Sequence, residues 1–182
     1  IFSINKKIII MNTKLIINFR LINLLFCFAF FNQNSININI IKNSQKYLRP
    51  VEGRGSAHII NINKKKIKII DESYNANPDT MYQAIEYLNA INKINTKKIF
   101  ILGNMNELGK NSHKMHQDLL NQIENFSFKF VILCGEFYQR SIKKLNNTRN
   151  EFIYIENKKK IMNFLKENVH KNDIILIKCS NS

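Results

Sequence analysis

The chain has 182 residues, is 45% hydrophobic and 23% charged, and so is neither a disordered polar segment nor too short for one sizeable core. Its net charge of +15 raises nucleic acid or an anionic membrane as partners. The lysines, however, fall in short scattered groups (64–66, 97–98, 158–160) with no regular interleaving of aromatics, so no nucleic acid is expected.

The first fifty residues stand apart. "LINLLFCFAFF" (21–31) follows Lys6, Lys7, Lys14 and Arg20, like a signal peptide or membrane anchor. The run is too short to span a bilayer, which takes about 20 residues, and "NQNS" after it offers no small-x-small cleavage site. A buried helix over about 18–31 is expected, then a short amphipathic segment over about 36–48, without membrane insertion. Because the chain opens on Ile rather than Met, residue 1 is expected to continue an upstream segment. "LRPVEGRG" (48–55) reads as a boundary punctuated by Pro50, Gly53 and Gly55.

A regular alternation begins at residue 56. "AHIINI" and "KIKIID" form a hairpin signal around "NKK". Asn77-Pro78-Asp79 reads as N-cap, first helical residue and first-turn acid, before a helix striped by Met81, Ala84, Ile85, Leu88 and Ile91. "KKIFILG" (97–103) is a buried strand, and "NMNELGKN" a loop. Ser112 is expected to cap a helix striped by Met115, Leu119, Ile123 and Phe126. Then come a strand in "FVILCG" (130–135), a weaker helix over 136–145 and a strand in "EFIYI" (151–155). Asn157 caps a helix striped by Ile161, Phe164, Leu165 and Val169, and "DIILIKC" (173–179) is the last strand. Continuous apolar strands alternating with helices predict an α/β, Rossmann-like, mostly parallel sheet with helices on both faces. Cys27, Cys134 and Cys179 form no C-x-x-C pair and read as reduced, buried thiols of a cytoplasmic protein. His113 and His116 lack further ligands in register, so no metal site is expected.

In such a sheet ligands bind at the carboxyl ends of the strands. "DESYNANP", "GNMNELG", "CGE" and "KCSNS" each leave such an end. Asp71 can accept two hydrogen bonds from a diol, stand behind a metal ligand, or cap the next turn. Asn75 and Asn77 offer donors and acceptors, as a purine requires, or form turn and cap. Glu107 can hold an ammonium or be a solvated loop acid. His116, one position off the apolar stripe, reads as a half-buried structural histidine or a ligand contact. Lys178 can pair with phosphate or carboxylate. Arg54, between two glycines, suits phosphate or a surface ion pair. The sequence has neither G-x-x-x-x-G-K-[ST] nor G-x-G-x-x-G after a strand, hence no evident triphosphate cradle.

"GRG" (53–55), "IIDESYNANPDTM" (69–81), "ILGNMNELG" (101–109), Ser112 with His116, and "IKCSNS" (177–182) occur in this order. The set resembles the C-terminal domain of the Mur ligases, over about residues 51–182, and within them the branch that adds D-alanyl-D-alanine to UDP-N-acetylmuramoyl-tripeptide. Asn23 with "LLFCFAFF" is similar to the end of that family's central domain. The resemblance implies residues 1–50 as a partly helical remnant of the central ATPase domain, and 51–182 as a Rossmann-like domain cut short before a further helix. It implies an ATP- and Mg2+-dependent ligase of cell-wall synthesis, working through an acyl phosphate, cytoplasmic, and a monomer at full length. By the same resemblance Arg54, Asp71, Asn75 and Asn23 contact ATP. Asn77, Glu107, His116, Lys178 and Ser180 face the substrates, and the P-loop lysine and metal ligands lie outside this chain. The chain departs from the family's pattern at Phe19 and Arg20 (His-Asn), Asn104 (Asp), Cys179 (Gly) and Asn181 (Arg). The alternatives are a non-catalytic nucleotide- or dipeptide-binding module and a degenerate remnant.

Overall fold

The computed structural model describes residues 2–4, 7–9, 18–37, 39–40, 43, 47, 50–92, 94–145 and 149–180. The chain divides into two compact units, Ile1–Arg49 and Pro50–Ser182. In the first, β1 (Phe2–Ile4) pairs antiparallel with β2 (Lys7–Ile9), two strands that the sequence pattern did not announce. Helix α1 (Asn18–Gln33) forms where expected. It is not a buried helix: Leu24 and Phe28 are enclosed, but Phe26 and Phe30 are 70% and 63% exposed. Among the described residues no helix is long and apolar enough to cross a membrane. The amphipathic segment expected over 36–48 lies largely outside the described residues.

The second unit carries a six-stranded sheet. Strand β3 (Ser56–Ile62) returns through Asn63 and Lys64 into β4 (Lys65–Glu72). Both connecting residues have positive φ, 48° and 64°, the geometry that matches the twist of a two-residue hairpin. Helix α2 (Pro78–Ala90) starts as its caps predict: Asn77 Oδ1 accepts from the Thr80 N–H at 2.9 Å, and Thr80 Oγ1 accepts from the Asn77 N–H at 3.1 Å. Met81, Ala84, Ile85 and Leu88 form its buried stripe, and each wholly buried large side chain contributes about 1.5–3 kcal/mol of transfer free energy. Strand β5 (Lys98–Leu102), helix α3 (Ser112–Ile123), strand β6 (Phe130–Leu133), helix α4 (Glu136–Ser141), strand β7 (Phe152–Tyr154), helix α5 (Lys158–Asn168) and strand β8 (Ile174–Lys178) follow. Asn157 caps α5 by accepting from the Lys160 N–H at 3.0 Å.

Two local expectations need correction. Ser112 does not cap α3 but is its first residue. A 3-10 turn, Gly109–Asn111, runs into the helix, and Ser112 Oγ donates to the Gly109 carbonyl at 2.8 Å. The weak helix over 136–145 is α4 followed by a separate 3-10 turn, Ile142–Lys144.

The strand order is β3-β4-β8-β5-β6-β7, with β3 antiparallel to β4 and every other neighbour parallel. This is the mostly parallel α/β sheet that the alternation predicts. Helices flank both faces, unequally. One face packs Phe100, Leu102, Val131 and Leu176 against α2, α3 and α4. The other packs Ile67, Ile99, Ile132 and Ile175 against α5.

Candidate functional site

Because β4, β5, β6 and β8 run parallel, their carboxyl ends share one edge of the sheet. Four segments meet there through specific hydrogen bonds. The first is the Gly-Arg-Gly turn. Gly53 and Gly55 have φ of +69° and +86°, where only glycine sits without strain. The Gly55 N–H donates to the Asp71 carbonyl at 2.6 Å, and the Tyr74 N–H to the Gly53 carbonyl at 3.0 Å. A Cβ on Gly53 would stand 3.1 Å from Tyr74 Cβ, so a side chain there would also oblige Tyr74 to give by a few tenths of an ångström. Arg54 is exposed, with its guanidinium carbon 3.9 Å above the centre of the Tyr74 ring.

The second segment, 71–77, follows β4. Asp71 Oδ1 accepts from the Ser73 N–H (3.0 Å) and from Ser73 Oγ (2.6 Å). That turn leaves Oδ2 without a protein partner among the described residues. Asn75 Oδ1 accepts from the Ala76 N–H at 2.8 Å. Asn77 is exposed but occupied with capping α2. Lys178, a candidate for holding a ligand's phosphate or carboxylate, is only 3% exposed and donates to the Asn75 carbonyl at 2.9 Å. The strand register sets it beside Glu72, itself buried. Lys178 therefore supports the 71–77 loop from beneath.

The third segment, 103–109, follows β5, and the fourth is 179–180, after β8. Ser180 ties them to the second. Its N–H donates to the Asn104 carbonyl at 2.9 Å, and its Oγ accepts from the Asn106 N–H at 3.0 Å. The same hydroxyl donates toward the Ala76 carbonyl (3.3 Å) and Asn75 Oδ1 (3.4 Å). Glu107 is exposed with φ of +62°, a conformation rarely adopted by residues other than glycine. Asn104 Oδ1 is buried with no hydrogen-bond partner among the described residues. His116, expected half-buried, is fully enclosed, and both ring nitrogens meet backbone atoms. It touches no open surface of the edge.

A cleft of about 530 Å3 opens from this edge onto the α5 face of the sheet. Its floor includes Ile69, Ile101 and Ile177, and its mouth Ser73, Asn106 and Ser180. Cys134 and Cys179 also line it. Both are half-buried rather than buried, and Cys27 is exposed. Desolvation raises the pKa of both lining thiols, assisted at Cys179 by Asp71 and opposed by Lys158. Asn23 lies exposed on α1, in the other unit.

The edge thus offers a guanidinium, a half-used carboxylate, amides and a hydroxyl. Such groups bind and orient a polar, anionic molecule. Among the described residues no three His, Cys, Asp or Glu side chains gather as metal ligands. Tyr74, the platform under Arg54, and Ser73, which takes half of Asp71, were not singled out from sequence. Both stand inside the "DESYNANP" string, and only the folded turn shows what they touch.

The Mur ligase, glutamate ligase domain family matches residues 58–181. A UDP-N-acetylmuramoyl-tripeptide--D-alanyl-D-alanine ligase of Rickettsia prowazekii is 33% identical over 143 residues, covering 77% of this chain and 30% of the relative. The chain thus spans under a third of that protein's length. A crystal structure of MurF from Acinetobacter baumannii superposes with a TM-score of 0.73 at 20% identity, covering 87% of this chain and 34% of its own. A MurF ligase from Thermotoga maritima in complex with ADP gives 0.63 at 22%, covering 84% and 32%. These two similarities establish the fold. The family match over residues 58–181 settles the kinship: the chain belongs to the Mur ligases.

Proposed function

We propose that the chain forms one wall of the site of an ATP-dependent ligase that joins D-alanyl-D-alanine to UDP-N-acetylmuramoyl-tripeptide in cell-wall synthesis. The observation that carries this reading is the stitching of the 71–77 and 103–109 loops through Ser180, with the Gly-Arg-Gly turn docked on the first. The names of the similar proteins, and the ADP in one of them, support the same reading.

The described residues fit part of a nucleotide. Arg54, held over Tyr74, can meet phosphate oxygens, and Asp71 Oδ2 and the Asn75 amide can take ribose or base. Among the described residues no three carboxylates, histidines or cysteines gather as a metal cage, in keeping with the resemblance, which puts the Mg2+ ligands outside this chain. ATP supplies the phosphoryl group that activates the tripeptide's carboxylate; the dipeptide's amine then displaces phosphate to form the amide. On this reading Glu107 and the Ser180 hydroxyl face the dipeptide, with Glu107 opposite its ammonium. Asn77 and Lys178 shape the wall without touching ligand. Catalysis of this kind depends on positioning and charge neutralisation, and closure of this wall onto a P-loop domain completes the site. The protein works in the cytoplasm as a monomer.

The purified chain, given ATP and both substrates, should release no phosphate, because its sequence holds no phosphate cradle. In a chimera in which residues 50–180 replace the corresponding part of a full-length relative, release should depend on D-alanyl-D-alanine. A chimera that folds but hydrolyses ATP equally with and without the dipeptide would refute the reading.

A further inference from the structure

The His116 imidazole lies beneath loop 103–109, and the proposed ligand contacts leave it unused. Its ring stacks on Phe137 (centroids 4.8 Å apart, 27° between planes) and meets Tyr138 edge-on (4.9 Å, 75°). The Ser112 carbonyl lies 2.7 Å from Nδ1. A carbonyl only accepts, so Nδ1 carries the proton. Nε2 is then the acceptor, and the Met105 N–H donates to it at 3.0 Å. Met105 is wholly buried, so no water replaces that acceptor if the ring is lost. Asn104 and Asn106, on either side of Met105, are held by Ser180. The Tyr138 hydroxyl donates to the Gly103 carbonyl at 3.2 Å. Backbone groups of residues 103 to 106 are therefore anchored from below and from the side, and Glu107 follows directly.

We propose that His116 is a positioning residue. As the neutral Nδ1–H tautomer it fixes the height and register of loop 103–109, and with them the place of Glu107 and of the Asn106–Ser180 bond. It acts through Met105 and touches no ligand. What the loop binds rests on the reading above; where the loop sits does not. Protonation would place an N–H on Nε2 against the Met105 N–H, two donors facing each other. Burial and neighbouring His113 on the same helix oppose that charge, while the Ser112 carbonyl favours it. From α4 the ring meets Phe137 and Tyr138; the Tyr138 phenol is neutral, its pKa raised by burial. Glu107 is the titratable group of the loop itself.

The test is NMR on the 182-residue chain with His116→Phe and His116→Gln. The wild-type ring should show the Nδ1–H nitrogen-shift pattern. In H116F the Met105 amide should exchange about tenfold faster or more, the equilibrium factor for one net hydrogen bond, while β5 and β6 amides stay protected. Glutamine places Oε1 near the position of Nε2, so H116Q should recover most of the protection. An Nε2–H tautomer, or a Met105 exchange rate unchanged in H116F, overturns the proposal. If H116F does not fold, the tautomer and the H116Q exchange rate decide. ADP titration of the same proteins separates the two readings. Faster Met105 exchange with unaltered ADP affinity supports the positioning role and counts against the edge as a ligand site.

Discussion

Gly103 and Cys179 lie against each other where β5 and β8 leave the sheet. A Cβ on Gly103 would fall closer than 3.0 Å to Cys179 Cβ, over 0.5 Å inside the contact of about 3.5 Å at which carbons attract. The backbones cannot part easily. The Gly103 N–H donates to the Lys178 carbonyl at 2.9 Å, and the Ser180 N–H to the Asn104 carbonyl at 2.9 Å, one bond on each side of the contact. Gly103→Ala should therefore carry an overpacking cost of about 1–3 kcal/mol, offset by about 0.4–1 kcal/mol from the stiffer unfolded chain. The net loss is about 1–2 kcal/mol, roughly 3–6 °C in Tm for a unit of this size. Cys179→Gly in the same background removes the clashing carbon and should return stability to within about 1 kcal/mol of wild type. Urea titrations of the four proteins give a coupling energy, expected at about 1 kcal/mol or more. Additive losses, or a G103A protein as stable as wild type, would refute the steric account.

Three other perturbations test different layers. Asn150 is 3% exposed; its Oδ1 accepts from the Phe128 N–H at 2.7 Å, and its Nδ2 donates to the Ile123 and Phe126 carbonyls at 3.2 and 3.1 Å. Asn150→Ala should cost about 2–3 kcal/mol by denaturant titration, because it strands buried backbone groups. His116 has its pKa lowered, chiefly by burial. Its share of stability is complete above the ordinary imidazole value of about 6.5 and is lost as pH falls through the lower folded value. H116F should flatten the melting-temperature profile in that acid window, and a profile unchanged from wild type would contradict this. Arg54→Met should change stability by under about 1 kcal/mol, since an exposed cation–π contact is worth no more. It should weaken ADP binding about tenfold by calorimetry, given the strength of charged hydrogen bonds to phosphate.

Local chemistry made much of the fold legible. The run "IFIL" reads as a parallel strand because both of its faces are buried. Asn77-Pro78 announces α2 because a cap acts within three residues. Pairings over long separations were not legible. Lys178 looks like a free cation at a strand end until the Asn75 carbonyl, 103 residues earlier, accepts its hydrogen bond. Ser180 was expected to face the substrates, and its part in tying the 71–77 and 103–109 loops together shows only once both fold onto it. His116 was misread by one step of helical phase. The buried stripe of α3 is Ser112, His116, Leu119, Leu120 and Ile123, whereas the expected one borrowed Phe126 from beyond the helix end. That the loops after β4, β5 and β8 share one edge was legible, because parallel strands oblige it; that the Gly-Arg-Gly turn ahead of antiparallel β3 joins them there was not. Nor was the division of labour at that edge, since ligand-facing and loop-supporting residues share the same polar alphabet.

The position of β8 also sets a timetable for biosynthesis. Residues 174–178 leave the ribosome after all the other strands of the sheet, yet they lie between β4 and β5. Until they emerge, the nascent chain holds a hairpin on one side and a three-stranded ribbon on the other, each with an unpaired inner border. The two borders can join only through the late strand, a closure between distant parts of the chain that is intrinsically slow. During that interval translation exposes unpaired strand edges of the kind through which folding chains aggregate, and a stall a few codons before residue 174 would leave two half-sheets with nothing to unite them.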